Sequence, residues 1–207
     1  MLLKATKEVL RGLSEHRGIE TKIRARGKFE LLVHLELINV ICKLDTTAKC
    51  WSEVEIYEEK RGSKRSPTLD LVIKSSKDGH DTYMSVEVKI IVTNYRHGKN
   101  TFIKKKNRNV TNAIDSFIND VRKHLNHKDG ETLMLKLDGT KCKIDESYSL
   151  ALVYPMPKDN RGAKAWEKHL KKIEGDPMSD FIVQDLEELQ FGSETVPVGI
   201  YILKSTA

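Results

Sequence analysis

Two periods of apolar residues alternate along this chain. From residue 2 to residue 15, Leu2, Leu3, Thr6, Val9, Leu10 and Leu13 recur with a helical period, and Gly18 follows as a stop. Residues 29–44 are the most apolar stretch and have nearly no polar face, which predicts a helix buried against a sheet. The period then shortens to two. Over 51–60, Val54 and Ile56 fall on one face and Glu53, Glu55 and Tyr57 on the other. Residues 66–92 hold two apolar, β-branched runs around Asp78-Gly79, a dipeptide that favours the tight turn of a hairpin. Val110, Ala113, Ile114, Phe117, Ile118, Val121 and Leu125 then spell an amphipathic helix. Residues 148–155 read as a buried strand ended by Pro155 and Pro157. Residues 162–173 read as a mostly polar helix around Trp166 and Leu170, and 196–204 as a last alternating strand. Residues 180–190 fit either period. The order is two helices, three strands, a helix, a strand, a helix and a strand. That order predicts an α/β fold, a mixed sheet with helices on both faces. A chain of 207 residues has room for one such domain, with a helical N-terminal segment (1–28), a core (29–155) and a C-terminal extension (156–207).

The hairpin carries the chemistry. Leu69, Leu71 and Ile73 share one face of its first strand, and Met84, Val86, Val88 and Ile90 one face of its second. Strict alternation then sets Asp70, Glu87 and Lys89 together on the other face. Charges in the middle of apolar strands cost several kcal/mol, or shift their pKa, unless something pairs them. Two carboxylates and a main-chain carbonyl, that of Val88, make an oxygen-only site suited to Mg²⁺ or Mn²⁺. A lysine two residues past one acid can orient a water or neutralise charge developing on a phosphate. The plainer alternative is a surface hairpin with a Glu–Lys pair.

Pro67-x-x-Asp70 followed by Glu87-Val88-Lys89 resembles the signature of the PD-(D/E)XK nuclease superfamily. The family more often places Pro directly before Asp, whereas Thr68 and Leu69 intervene here. The resemblance covers roughly residues 29–155. It implies a restriction-endonuclease-like three-layer sandwich, a central mixed β-sheet flanked by helices. It also implies a divalent-metal-dependent DNA endonuclease that hydrolyses phosphodiester bonds, most naturally of restriction type. A structure-selective repair or recombination nuclease, and a catalytically silent nucleic-acid-binding protein of the same fold, are the alternatives. On this resemblance Asp70 and Glu87, with the Val88 carbonyl, hold Mg²⁺ (Mn²⁺ as substitute), and Lys89 positions the attacking water. A helix before the sheet often adds an acid in this family. Glu36, on the dense stripe of Phe29, Leu32, Val33 and Val40, is the preferred residue. Glu30, among Val33, Leu37 and Ile41, reads as a glutamate at the helix rim, and Glu55 is a third candidate. The helix over 110–125 lacks the Gln-x-x-x-Tyr motif of the exonuclease-type relatives. No activated Ser, Cys or His constellation suggests a covalent intermediate.

Charge adds a partner to this picture. The net charge of +6 suits a polyanion. Lys64 and Arg65 precede Pro67, and Arg96, Lys104, Lys105, Lys106 and Arg108 form the densest basic region, a few residues beyond Lys89. These are the expected contacts to a DNA backbone. The basic stretch from Lys22 to Lys28 reads as a solvated connector, and His124 and His127 as helix C-terminal cations. Cys42, Cys50 and Cys142 are odd in number and form no C-x-x-C pair, which fits a reducing compartment and disfavours a disulfide framework, a zinc ribbon or an iron–sulfur cluster. No apolar run approaches the ~20 residues of a membrane span, and the N-terminus does not read as a signal peptide, so a cytoplasmic protein is expected. Cutting both strands of a duplex with one triad per chain calls for a homodimer. Trp166, Phe181 and Phe191 would either supply its interface or close the domain.

Overall fold

Helix α1 (Leu2–Glu15) buries Leu2, Ala5, Thr6, Val9, Leu10 and Leu13, the stripe that its period requires. It lies against α2 (Arg26–Leu44), whose buried stripe is Phe29, Val33, Leu37 and Ile41, a four-residue spacing that keeps one face inward. The computed structural model describes residues 1–15, 26–56, 68–93, 110–123, 134–156, 160–175, 179–191 and 194–205. In it α2 is not buried all round, as its composition suggests: Leu31 and Leu35 face solvent, 53% and 50% exposed.

Three antiparallel strands follow: β1 (Lys49–Glu55), β2 (Thr68–Lys77) and β3 (His80–Val92). Asp78 and Gly79 join β2 to β3 with φ of 53° and 80°, the two left-handed residues that a twisted hairpin needs. Helix α3 (Val110–Lys123) comes next, then a small hairpin of β4 (Met134–Leu137) and β5 (Thr140–Lys143), turned by Asp138 and Gly139 in the same conformation. Strand β6 (Glu146–Tyr154) returns parallel to β3, with Ser149 beside Glu87 and Ala151 beside Lys89. After α4 (Asn160–Glu174), β7 (Ser179–Phe191) and β8 (Glu194–Ser205) extend the sheet antiparallel from β6. The main sheet is mixed and six-stranded, in the order β1-β2-β3-β6-β8-β7. Residues 180–190 are thus strand, and the residues beyond 155 add two strands to the same sheet.

Alternation on these strands feeds two cores. Leu71, Ile73, Val86, Val88, Leu150 and Leu152 meet α1 and α2. Ile91, Ala151, Val153, Tyr201 and Leu203 meet α3 and α4 on the opposite face. The result is an α/β sandwich with helices on both sides of the sheet. The β4–β5 hairpin covers a third cluster around Val54, Leu69 and Val72. Trp166 is buried and donates from Nε1 to the Tyr201 hydroxyl at 2.7 Å, so it helps to close the domain. The side chains of Phe181 and Phe191 lie outside the described residues. Cys42 and Cys50, eight residues apart in sequence, are neighbours with Sγ atoms 3.9 Å apart, and both are thiols. Among the described residues no helix is long and apolar enough to cross a membrane.

The two sides of α2 set up a stability contrast. Leu37→Ala removes a side chain with 0% exposure and is expected to cost about 2–5 kcal/mol. Leu35→Ala, on the solvent side, should stay within about 0.5 kcal/mol. Urea unfolding followed by circular dichroism checks both, and a similar midpoint for the two variants would contradict this orientation of the helix.

Candidate functional site

The site begins where the β1–β2–β3 ladder opens. Strand β2 pairs with β1 at Leu71 (to Ser52) and again at Leu69 (to Val54), but Asp70 and Glu53 between them do not pair. Pairing of β2 with β3 starts only at Leu71, opposite Val86. Glu53 has a φ of 52°, a left-handed conformation that a residue with a Cβ adopts at a cost. The facing of side chains changes at the same place. Leu69 and Val72 share the cluster under the β4–β5 hairpin, whereas Leu71 and Ile73 face α1 and α2. Strict alternation is therefore broken, and with it the expectation that Asp70, Glu87 and Lys89 share one face.

The Asp70 side chain sits in the opened seam. Its Oδ2 accepts a hydrogen bond from the Val88 N–H at 2.9 Å, so the carboxylate meets the main chain in the middle of Glu87-Val88-Lys89. Its other neighbours come from α2. Glu30 and His34 are one helical turn apart, on the stripe that continues through Leu37 and Ile41. The donor atoms of Glu30, His34 and Asp70 all lie within 4.8 Å of one another. His34 is 9% exposed, and its Nε2 is fully buried with no hydrogen-bond partner among the described residues. That atom is 3.9 Å from Asp70 Oδ2, too far for a hydrogen bond. Burial pushes the His34 pKa below its ordinary value, against the opposing pull of Asp70 and Glu53. The imidazole is accordingly neutral at pH 7, the form that donates a lone pair.

The remaining residues singled out from the sequence are distributed around this centre. Glu87 is buried on the α3 side of the sheet beside Ser149, and is not among the residues that cluster with Asp70. Lys89 is half-buried beside Ala151. Val88 offers Asp70 its N–H. The helical acid that reaches Asp70 is Glu30 and not Glu36, which projects about 200° round the helix from His34. Glu55 is exposed and lies opposite Thr68 at the end of β1. Lys64, Arg65, Pro67, Arg96, Lys104, Lys105, Lys106 and Arg108 lie outside the described residues. His34 was not legible as a site residue from motif spacing. The available signal was Glu30-x-x-x-His34, an acid and an imidazole on one face of a largely apolar helix.

One imidazole and two carboxylates are a donor set that fits a divalent cation. It differs from the oxygen-only set of Asp70, Glu87 and the Val88 carbonyl in containing nitrogen. The chain matches no family model, no curated protein and no solved structure.

Proposed function

We propose that this chain is a divalent-metal-dependent phosphodiesterase that cuts DNA. The observation that carries the reading is the seating of Asp70. Its carboxylate is fastened to the Val88 N–H, inside Glu87-Val88-Lys89, while Glu30 and His34 approach it from α2. A restriction-endonuclease-like sandwich is the finer fold reading. It is supported by the succession of α2, the antiparallel β1–β2–β3, α3 and a β6 parallel to β3.

In this reading Asp70 and its neighbours Glu30 and His34 hold the ion, while Glu87 lies on the α3 side of the sheet, outside their cluster. When bound, a divalent ion supplies a Lewis acid for the phosphoryl oxygens and makes a nearby water more acidic. Lys89, two residues from Glu87 and on the same side of β3, is the cation that the resemblance assigns to charge gathering on the phosphate and to orienting the attacking water. The buried, apolar flanks of β3 keep these groups in a low-dielectric setting that strengthens each interaction. The basic segment from Arg96 to Arg108 adds sequence-independent attraction to the DNA backbone. A restriction-type enzyme acting as a homodimer, or a repair nuclease, are the forms this takes.

The second reading is a nucleic-acid-binding protein without turnover. It is favoured by the position of Glu87, buried on the α3 side and outside the cluster that Asp70 joins. Incubating the protein with supercoiled plasmid and Mg²⁺ or Mn²⁺, beside an EDTA control, separates the two. Metal-dependent nicking supports the enzyme, and retardation of the plasmid without nicking supports the binder.

The partner is tested separately. Replacing Lys104, Lys105 and Lys106 together by glutamine is expected to weaken DNA binding and to flatten its dependence on salt, by up to ~0.9 in the log–log slope per lost phosphate contact. Filter binding across a salt series reads the slope, and a wild-type slope would assign these lysines to the solvent.

A further inference from the structure

We infer that Glu30, His34 and Asp70 form a binding site for one first-row transition ion, and that the His34 imidazole makes the site prefer Mn²⁺ and Zn²⁺ over Mg²⁺. The inference deepens the proposed reading by naming the class of ion, and it rests on that reading only for what the ion would do.

The first support is an imbalance at His34. A buried polar atom without a partner costs about 1–3 kcal/mol, so such atoms are rare in folded proteins. Among the described residues Nε2 of His34 is one, and it lies 3.9 Å from an oxygen of Asp70. A histidine serving only to hold Asp70 would close that gap to about 2.8 Å and donate a proton. This pair stays apart, with Glu30 alongside. Atoms bound to one ion at about 2.0–2.2 Å are themselves about 3–4 Å apart, which is the separation seen between His34 and Asp70. A cation between them would give the imidazole a partner and lie beside both carboxylates.

The second support is how the residues are placed. Glu30 and His34 are one turn apart on a helix anchored by Phe29, Val33, Leu37 and Ile41, all at most 1% exposed. Asp70 is fixed by the Val88 N–H. Three ligands from rigid elements leave the other coordination positions open to water or substrate. Mg²⁺ strongly prefers oxygen and gives up its waters reluctantly, whereas imidazole suits Zn²⁺ and its neighbours in the transition series. The expected order of affinity is Mg²⁺ below Mn²⁺ below Zn²⁺.

The test is binding of the ion itself. EDTA-treated protein is titrated with MnCl₂, ZnCl₂ and MgCl₂ by calorimetry, for the wild type, His34→Ala and Glu30→Gln. The wild type should bind Mn²⁺ and Zn²⁺ at one site and Mg²⁺ more weakly. His34→Ala should lose at least about 10-fold in Mn²⁺ and Zn²⁺ affinity while its weak Mg²⁺ binding stays as it was. Glu30→Gln keeps the shape of the helix and should lose affinity for all three ions, which keeps the test open if His34→Ala fails to fold. Equal affinity of the wild type for Mg²⁺ and Mn²⁺, or wild-type Mn²⁺ affinity in both variants, overturns the site. The two readings fail separately. Selective Mn²⁺ binding without plasmid nicking retains the site and removes the phosphodiesterase. Mg²⁺-driven nicking that His34→Ala leaves unaltered does the reverse.

Discussion

Asp70→Ala is expected to abolish plasmid cleavage and to weaken Mn²⁺ binding by more than the 10–100-fold typical of a residue one shell out from a metal. Asp70 has two jobs that the structure separates. It contributes negative charge to the cluster with Glu30 and His34, and it accepts the Val88 N–H in the seam where β2 and β3 no longer pair. Alanine removes both, so a loss of about 1–3 kcal/mol in stability should accompany the loss of activity, from the Val88 N–H left without its acceptor. Asp70→Asn resolves the ambiguity. Its amide oxygen still accepts from Val88 while the charge is gone, so its melting temperature should stay near that of the wild type. Its cleavage and Mn²⁺ affinity should be as poor as those of the alanine variant. Nicking assays, calorimetry and thermal melts on the three proteins give the answer. Wild-type turnover in Asp70→Asn would remove Asp70 from the site altogether.

The elements that were legible in the sequence are those whose local signal and tertiary role agree. Helix α1 shows its buried stripe in its spacing, and the β2–β3 hairpin shows its turn in Asp78-Gly79, the residue types that tolerate left-handed φ. The same dipeptide at 138–139 turns β4 into β5. There the flanking strands have only four residues each, too few to show alternation. Strand β7 was ambiguous because Asp185, Glu187 and Glu188 break up its apolar positions. Its identity comes from pairing with β8 in a hairpin that places it at the edge of the sheet.

The site was harder to read for a related reason. Alternation predicts facing only while a strand stays in its ladder, and β2 leaves the ladder at Asp70. The residue then turns toward α2, away from the placement that the motif alone suggests. Choosing between Glu30 and Glu36 has the same difficulty. A helical projection ranks stripes by apolar density, but which stripe meets Asp70 depends on where the strand crosses the helix. That crossing selects the stripe of Glu30 and His34. Glu53 is a third instance, since a left-handed residue in mid-strand has no signature in residue type here.

Lys89→Ala is expected to reduce cleavage by about 10²–10³-fold, the usual loss when one group that stabilises developing charge is removed. Mn²⁺ binding should be unchanged, because an ammonium is no ligand and Lys89 lies beside Ala151 on β6. The two measurements together make this the converse of Asp70→Asn: one variant keeps the ion and loses the chemistry, the other loses both. Lys89→Arg should recover only part of the rate. A guanidinium retains the charge but spreads it over a planar fork that a compact, half-buried position does not fit. DNA affinity should hardly change, since one charge near the cleavage site is a small share of the attraction from the basic segment. Cleavage at the wild-type rate in Lys89→Ala would exclude Lys89 from the reaction. Loss of Mn²⁺ binding in the same variant would show that it supports the fold of the site instead.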